Sequence, residues 1–206
     1  MMNTKILNKE EIRAGDVLLC YSAQMVNKDE SGGSGYSHVA ISLDGQSVLE
    51  SNSAGVRISS VSVILDEYDH IAVLRNTGLW SATRMDDLNK FAAENTGKKF
   101  NPFGMRKYSD RKVEHQENAM ERVQGYFEGT EPDVTTNRPI YFCSELVTAA
   151  FIRVGIIDKP AAILFTPETF SPEDIGKDKA FGIFCGYVKS YPEYNIPDTD
   201  YFRTSL

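Results

Sequence analysis

Apolar and small residues recur at Cys143, Leu146, Val147, Ala150, Phe151 and Val154, the 3.6-residue spacing of one buried helical face. That spacing predicts a helix starting at Cys143, with the strand-like pair Tyr141-Phe142 leading in and Gly155 as its C-cap. Residues 81–95 read as another helix, with Met85, Leu88 and Ala92 on one face and Gly97 as a stop. Over residues 36–43 the period drops to two, so Val39, Ile41 and Leu43 point one way and His38, Ala40 and Ser42 the other. Asp44-Gly45 marks a turn, and Val48-Leu49-Glu50-Ser51 returns as the partner strand. Shorter apolar runs at 17–21, 55–58, 71–74 and 181–188 add further strands. Thr166-Pro167-Glu168 and Ser171-Pro172-Glu173-Asp174 look like helix starts, the second with Ser171 as N-cap and Pro172 at the first position.

The hairpin register decides which side chains meet. A two-residue Asp44-Gly45 turn would pair Leu43 with Gln46 and set Glu50 on the face opposite His38. A three-residue loop, Leu43-Asp44-Gly45, instead pairs Ser42 with Gln46, Ala40 with Val48 and His38 with Glu50. It also keeps Val39 opposite Leu49 and gives glycine the left-handed position. A one-residue slip would exchange the faces, so the pattern predicts the three-residue loop and a Glu50 carboxylate within reach of the His38 ring.

Polar stretches interrupt these elements. Residues 27–35 read as a mobile loop that delivers the chain to His38 and so borders that residue. Asn101-Pro102-Phe103-Gly104 is expected to break regular structure, and 106–138 is a strongly polar insertion containing an exposed or lid-like helix at 112–127. The tail, 191–206, is polar and aromatic without a period.

The mixture of short strands and separate helices predicts an α+β fold with a small antiparallel sheet packed against the Cys143 helix. At 206 residues with 41% hydrophobic content, the chain fits one domain, 1–206, that needs no covalent staples. No apolar run approaches membrane-spanning length, so no stable membrane insertion is expected. The first ten residues lack the apolar segment of a secretory leader, which points to a cytoplasmic location. A formal charge of −7 weighs against nucleic acid as a partner. Three cysteines without C-x-x-C spacing argue against a disulfide framework or a zinc ribbon.

A cysteine at a helix start sits at the positive end of the helix dipole, beside unpaired N–H groups that favour a thiolate and a developing oxyanion. On position alone Cys143 reads equally well as the first buried residue of a core helix. A histidine on a strand supplies the matching general base. His70 reads as a surface loop residue, His115 as part of a solvated helix face, and Cys20 and Cys185 as small buried hydrophobes in strands.

In chain order, Gly15-Asp16-Val17-Leu18, Ser37-His38-Val39-Ala40-Ile41, Val48-Leu49-Glu50, Gly97-Lys98-Lys99-Phe100-Asn101 and Tyr141-Phe142-Cys143-Ser144-Glu145-Leu146-Val147 form a series. That series resembles the YiiX/YebB-like branch of the NlpC-type cysteine hydrolases, over about residues 15–188. The resemblance implies a circularly permuted papain-like fold in which histidine precedes cysteine. It implies Cys143 as nucleophile, His38 as base, Glu50 as the residue orienting the imidazole, and the Cys143 N–H in the oxyanion hole. Tyr36 and Ser37, beside the histidine, are candidates for lining the site. No cofactor or metal is implied, and the substrate would be a small peptide or acyl amide, such as a cell-wall-like fragment. Two other functions share these residues: a lipid-ester acyltransferase or lipase, and a binding module without turnover. The chain offers little membrane-facing apolar surface for the first, and retention of Cys, His and Glu together speaks against the second.

Overall fold

Alternating and apolar runs in the first half of the chain pair into one antiparallel sheet, which the last strand joins from the other end. The computed structural model describes residues 5–26, 34–131 and 136–204. Its strands are β1 (Val17–Val26), β2 (Ser34–Ser42), β3 (Ser47–Asn52), β4 (Gly55–Ser60), β5 (His70–Arg75), β6 (Lys99–Phe100), β7 (Ile140–Tyr141) and β8 (Ile183–Lys189). The six-stranded sheet runs β4-β3-β2-β1-β5-β8, while β6 and β7 form a separate parallel pair. Among the described residues seven helices surround them: α1 (Val61–Glu67), α2 (Ala82–Asn95), α3 (Pro102–Glu117), α4 (Ala119–Phe127), α5 (Cys143–Arg153), α6 (Pro172–Lys177) and α7 (Tyr201–Thr204). The fold is α+β.

Both faces of the sheet are buried. Val17, Leu19, Val39, Ile41 and Leu49 belong to one apolar layer with Leu146, Val147 and Phe151 of α5 and Leu88 and Phe91 of α2. Leu18, Cys20, Ala40 and Val48 face a second layer with Val61 and Ile64 of α1 and Leu7 and Ile12 of the N-terminal segment. Each such Leu, Ile or Val contributes about 1.5–3 kcal/mol by leaving water. Helix α5 packs on β2 and β3, and its end follows the expected glycine rule. Gly155 takes φ +69, its N–H bonds Ile152 O at 3.1 Å and the Ile156 N–H bonds Phe151 O at 3.0 Å.

The β2–β3 register differs from expectation by two residues. Ser42 pairs with Val48 and Ile41 with Leu49, and the loop is Asp44-Gly45-Gln46, closed by Leu43 N–H to Ser47 O at 2.8 Å. The Asp44 carboxylate causes the shift: it accepts from Gln46 N at 2.8 Å and Ser47 N at 2.6 Å, while Gly45 N–H bonds Ser42 Oγ at 2.9 Å. A slip of two preserves faces, so Glu50 still shares the side of His38. Beyond Ile41 and Leu49 the ladder stops and the strands part.

Two local readings need correction. Asn101-Pro102 starts a helix instead of breaking one: Asn101 Oδ1 caps α3 by accepting from Gly104 N at 2.8 Å, and Pro102 fills the first helical position. The expected helix at 112–127 is two helices, α3 and α4, meeting at Asn118 and packing on the 3-10 turns at Pro167–Thr169 and Ala161–Ile163. Gly15-Asp16 is an anchor. Gly15 takes φ +82 where a Cβ would stand 2.4 Å from the Trp80 ring, and buried Asp16 takes Arg75 with both oxygens, at 2.8 and 2.6 Å.

Candidate active site

The β2–β3 ladder has two pairs, Ile41–Leu49 and Ser42–Val48, and the start of α5 packs against these two strands. Ser51 Oγ on β3 donates to Tyr141 O at 2.7 Å, and Asn101 N–H donates to the same oxygen at 2.9 Å. The chain is thereby pinned two residues before Cys143. From β2, His38 shares its face with Cys20, its partner across the β1–β2 ladder, and alternates with Val39 and Ile41, which pack on α5. Cys143 itself belongs to the apolar layer between α5 and the sheet, at the first turn of the helix, and His38 is its ionisable neighbour there.

His38 has two ionisable neighbours that support its charged form, Cys143 and Glu50. Its Nε2 lies 2.8 Å from Glu50 Oε2, leaving Nδ1 as the nitrogen for the thiol. Glu50 is 1% exposed, and its other oxygen accepts from Arg57 Nε at 2.9 Å, directly across the β3–β4 ladder. The Tyr68 ring lies parallel to the imidazole, 7° between planes with centroids 5.5 Å apart. Burial opposes the imidazolium, but hydrogen bonds to and charges on Cys143 and Glu50 outweigh it and hold the His38 pKa at about 9. Burial by itself would raise the Glu50 carboxyl; the bonds from His38 and Arg57 win and hold it below its ordinary value. The Tyr68 phenol is pushed up, chiefly by burial and then by nearby Cys20 and Cys143, so it stays protonated.

The N–H of Phe142, the residue before the helix, is taken by Glu145 Oε2 at 3.2 Å. Glu145 is buried and also receives Arg138 at 3.2 Å and Asn101 at 3.3 Å, yet burial outweighs these donors and its carboxyl lies above its ordinary value. Ser144 Oγ donates to Phe170 O at 2.6 Å. The N–H groups of Cys143 and Ser144 open the helix and, like those of any first turn, have no intrahelical carbonyl. They stand at its positive end, where an anion is favoured.

The structure thus brings together Cys143, His38 and Glu50. Ser37, next to His38 in the chain, is half-buried. Tyr36 does not fit a lining role: it is buried, with its hydroxyl donated to Asp200 at 2.8 Å. His70 is a buried strand residue bonded to Asp200, Tyr36 and Tyr194, the opposite of a surface loop. His115 is half-buried, its ring nitrogens 3.2 Å from Leu164 O and from Thr166 Oγ1. Cys20 is buried as expected, but Cys185 is only partly so, because it falls at the β5–β8 irregularity between Phe184 and Gly186. Of the loop expected to border His38, residues 27–33 lie outside the described residues. Arg57 and Tyr68 escaped the sequence reading. Arg57 left a signal, a cation directly opposite a carboxylate across a short hairpin; Tyr68 left none.

Comparison with protein-family models, with curated proteins and with solved structures finds no match for this chain. Its fold and site define an α+β protein with a buried Cys–His–Glu cluster at a helix N-terminus. Among the described residues no helix is long and apolar enough to cross a membrane, and no group of three or more His, Cys, Asp or Glu is placed to hold a metal ion.

Thiol reactivity separates an activated cysteine from a merely buried one. Cys143 is 5% exposed and Cys185 more so, so access alone would label Cys185 first. Burial raises both the Cys20 and Cys185 thiols, whereas Cys143 faces an imidazolium at neutral pH. Iodoacetamide at neutral pH is expected to label Cys143 roughly tenfold faster than either, read by peptide mass spectrometry. Labelling in order of exposure would count against activation.

Proposed function

We propose that this protein is a cysteine hydrolase of amide bonds, acting on a small peptide or acyl amide through a thioester acyl-enzyme. The observation that carries the reading is one buried imidazole bonded at 2.8 Å to a buried carboxylate, with the Cys143 thiol at a helix start as its other ionisable neighbour. His38 Nδ1 takes the thiol proton, and the sulfur attacks the carbonyl carbon. The C=O electrons move onto the oxygen, which the Cys143 N–H receives. As the tetrahedral carbon collapses, its C–N bond breaks and the imidazolium gives its proton to the departing amine. Water, deprotonated by His38, then attacks the thioester, releasing the acid and restoring the thiol. The order of histidine strand before cysteine helix, and a helix packed on an antiparallel sheet, support placing the chain with the permuted papain-like, NlpC-type hydrolases of the YiiX/YebB-like branch.

The test is a hydrolysis screen of purified protein on muropeptides, acyl-amino acids and short-chain phospholipids, with Cys143→Ala as control. Amide cleavage that the variant lacks is the expected result. Ester cleavage alone would favour the lipid-ester reading, and binding without turnover the silent module.

A further inference from the structure

The β1–β2 ladder carries an irregularity where it matters. Leu19 pairs with Val39 and Cys20 with His38, but Tyr21 pairs with Tyr36, so Ser37 is an extra residue on β2. In an unbroken pleat Tyr36 and His38 would share a face. Here Tyr36 joins the apolar layer of α5, and His38 the opposite side with Cys20. Bulges of this kind re-aim a side chain.

What fixes Tyr36 comes from the far end of the chain. Its hydroxyl donates to Asp200 Oδ2 at 2.8 Å and lies 3.2 Å from His70 Nε2, which is 3.3 Å from the same Asp200 oxygen. The Asp200 and His70 side chains have no exposure at all. The Tyr187 hydroxyl donates to Asp200 Oδ1, Tyr194 OH meets His70 Nδ1 at 3.1 Å, and Tyr21 stacks on the His70 ring at 4.4 Å. Phe202 lies against Tyr36 and stacks on Phe184. Burial would raise the Asp200 carboxyl, but the bonds from His70, Tyr187 and Tyr36 outweigh it and keep it ionised. None of these groups touches the thiol chemistry.

We propose that Asp200, carried by the C-terminal tail, is a positioning residue for His38: through Tyr36, two residues before the histidine, it holds the bulge that keeps the Tyr36 phenol off the imidazole's face and fixes the β2 backbone beside it. Without the bulge, Ser37 would pair with Tyr21 and enter the apolar layer, while His38 would stay opposite Cys20 and Tyr36 would turn to its side, setting a phenol against the imidazole. A charge-assisted bond to a buried carboxylate is the device that selects one register over the other. The inference rests on the reading of His38 as the partner of Cys143.

The test compares two variants that each remove one hydroxyl bonded to Asp200. Tyr36→Phe releases β2, whereas Tyr187→Phe releases only β8. The readout is the rate of Cys143 alkylation by iodoacetamide from pH 5 to 10, which needs no substrate and no turnover. Tyr36→Phe is expected to slow the neutral-pH reaction about tenfold and to change the shape of its pH profile, since misplacement by about 1 Å is enough to uncouple such a pair. Tyr187→Phe is expected to leave both unchanged. Equal effects of the two, or a change under about threefold for Tyr36→Phe, would overturn the proposal. If Tyr36→Phe does not fold, Asp200→Asn decides: it keeps the volume but weakens the bonds, and an unaltered rate overturns the proposal. His38→Ala runs in parallel; if it alkylates at the full rate, the site reading has failed and this inference falls with it.

Discussion

Replacing His38 with alanine is expected to lower kcat/KM on a cleaved amide by about 10³–10⁴, near the upper range for losing a general base. Cys143→Ala removes the nucleophile and should reduce turnover to background. The double variant should be no worse than Cys143→Ala, because groups that act as one unit are not additive. The pH dependence gives the same pair an independent signature. The His38 pKa is raised from an ordinary 6.5 to about 9, so the charged ring's stabilising contribution is fully present below 6.5 and is lost as pH rises through about 9. The same proton is the one the departing amine receives, so activity should hold through neutral pH and fall on an alkaline limb near 9. A full-rate His38→Ala enzyme would remove histidine from the mechanism.

The site was legible where local pattern carries it. Alternation along β2 and β3 put His38 and Glu50 on one face, and parity survived even though the register moved by two. The loop itself was misjudged because a side chain decided it: Asp44 draws in the N–H groups of Gln46 and Ser47, which no count of apolar positions reveals. Asn101-Pro102 was misread because the same dipeptide marks a break or a helix start, and only the capped Gly104 N–H distinguishes them. Long-range partners were the larger loss. His70 looks like a surface residue until Asp200, 130 positions later, meets it in the core. The tail has no period because it is a clasp of single anchors, Asp200 and Phe202, with no repeating face. Tyr68 follows a seven-residue helix that opens Val61-Ser62-Val63-Ile64, rich in β-branched residues, and no short-range rule places its ring on His38.

Glu50→Gln should be nearly as damaging as losing the histidine, although it changes a single atom of the side chain. As a carboxylate, Glu50 accepts from two donors at once, Arg57 Nε at 2.9 Å and His38 Nε2 at 2.8 Å. With Nε2–H committed to that bond, the proton exchanged with the thiol and with the attacking water is the one on Nδ1, and whenever the ring is neutral it is Nδ1 that is bare. An amide has one oxygen, and Arg57 can only donate, so the arginine claims that oxygen. The amide NH₂ then faces Nε2, which must accept, and the ring proton moves to Nδ1. That is the wrong tautomer for deprotonating Cys143. A comparable change behind a serine-protease histidine costs about 10⁴ in kcat, and a loss of about 10³–10⁴ is expected here. The alkaline limb should also drop from about 9, since the carboxylate no longer supports the imidazolium. Glu50→Ala differs in kind: it leaves His38 and Arg57 without their shared buried partner and should cost about 3 kcal/mol of stability. Arg57, 35% exposed, can recover water, which keeps that cost toward the lower end of the range for broken buried pairs. Thermal unfolding and pH–rate profiles of the two variants separate the effects. Glu50→Gln at full activity with an unmoved limb would mean that Arg57 and Glu50 hold the sheet edge together and take no part in orienting His38.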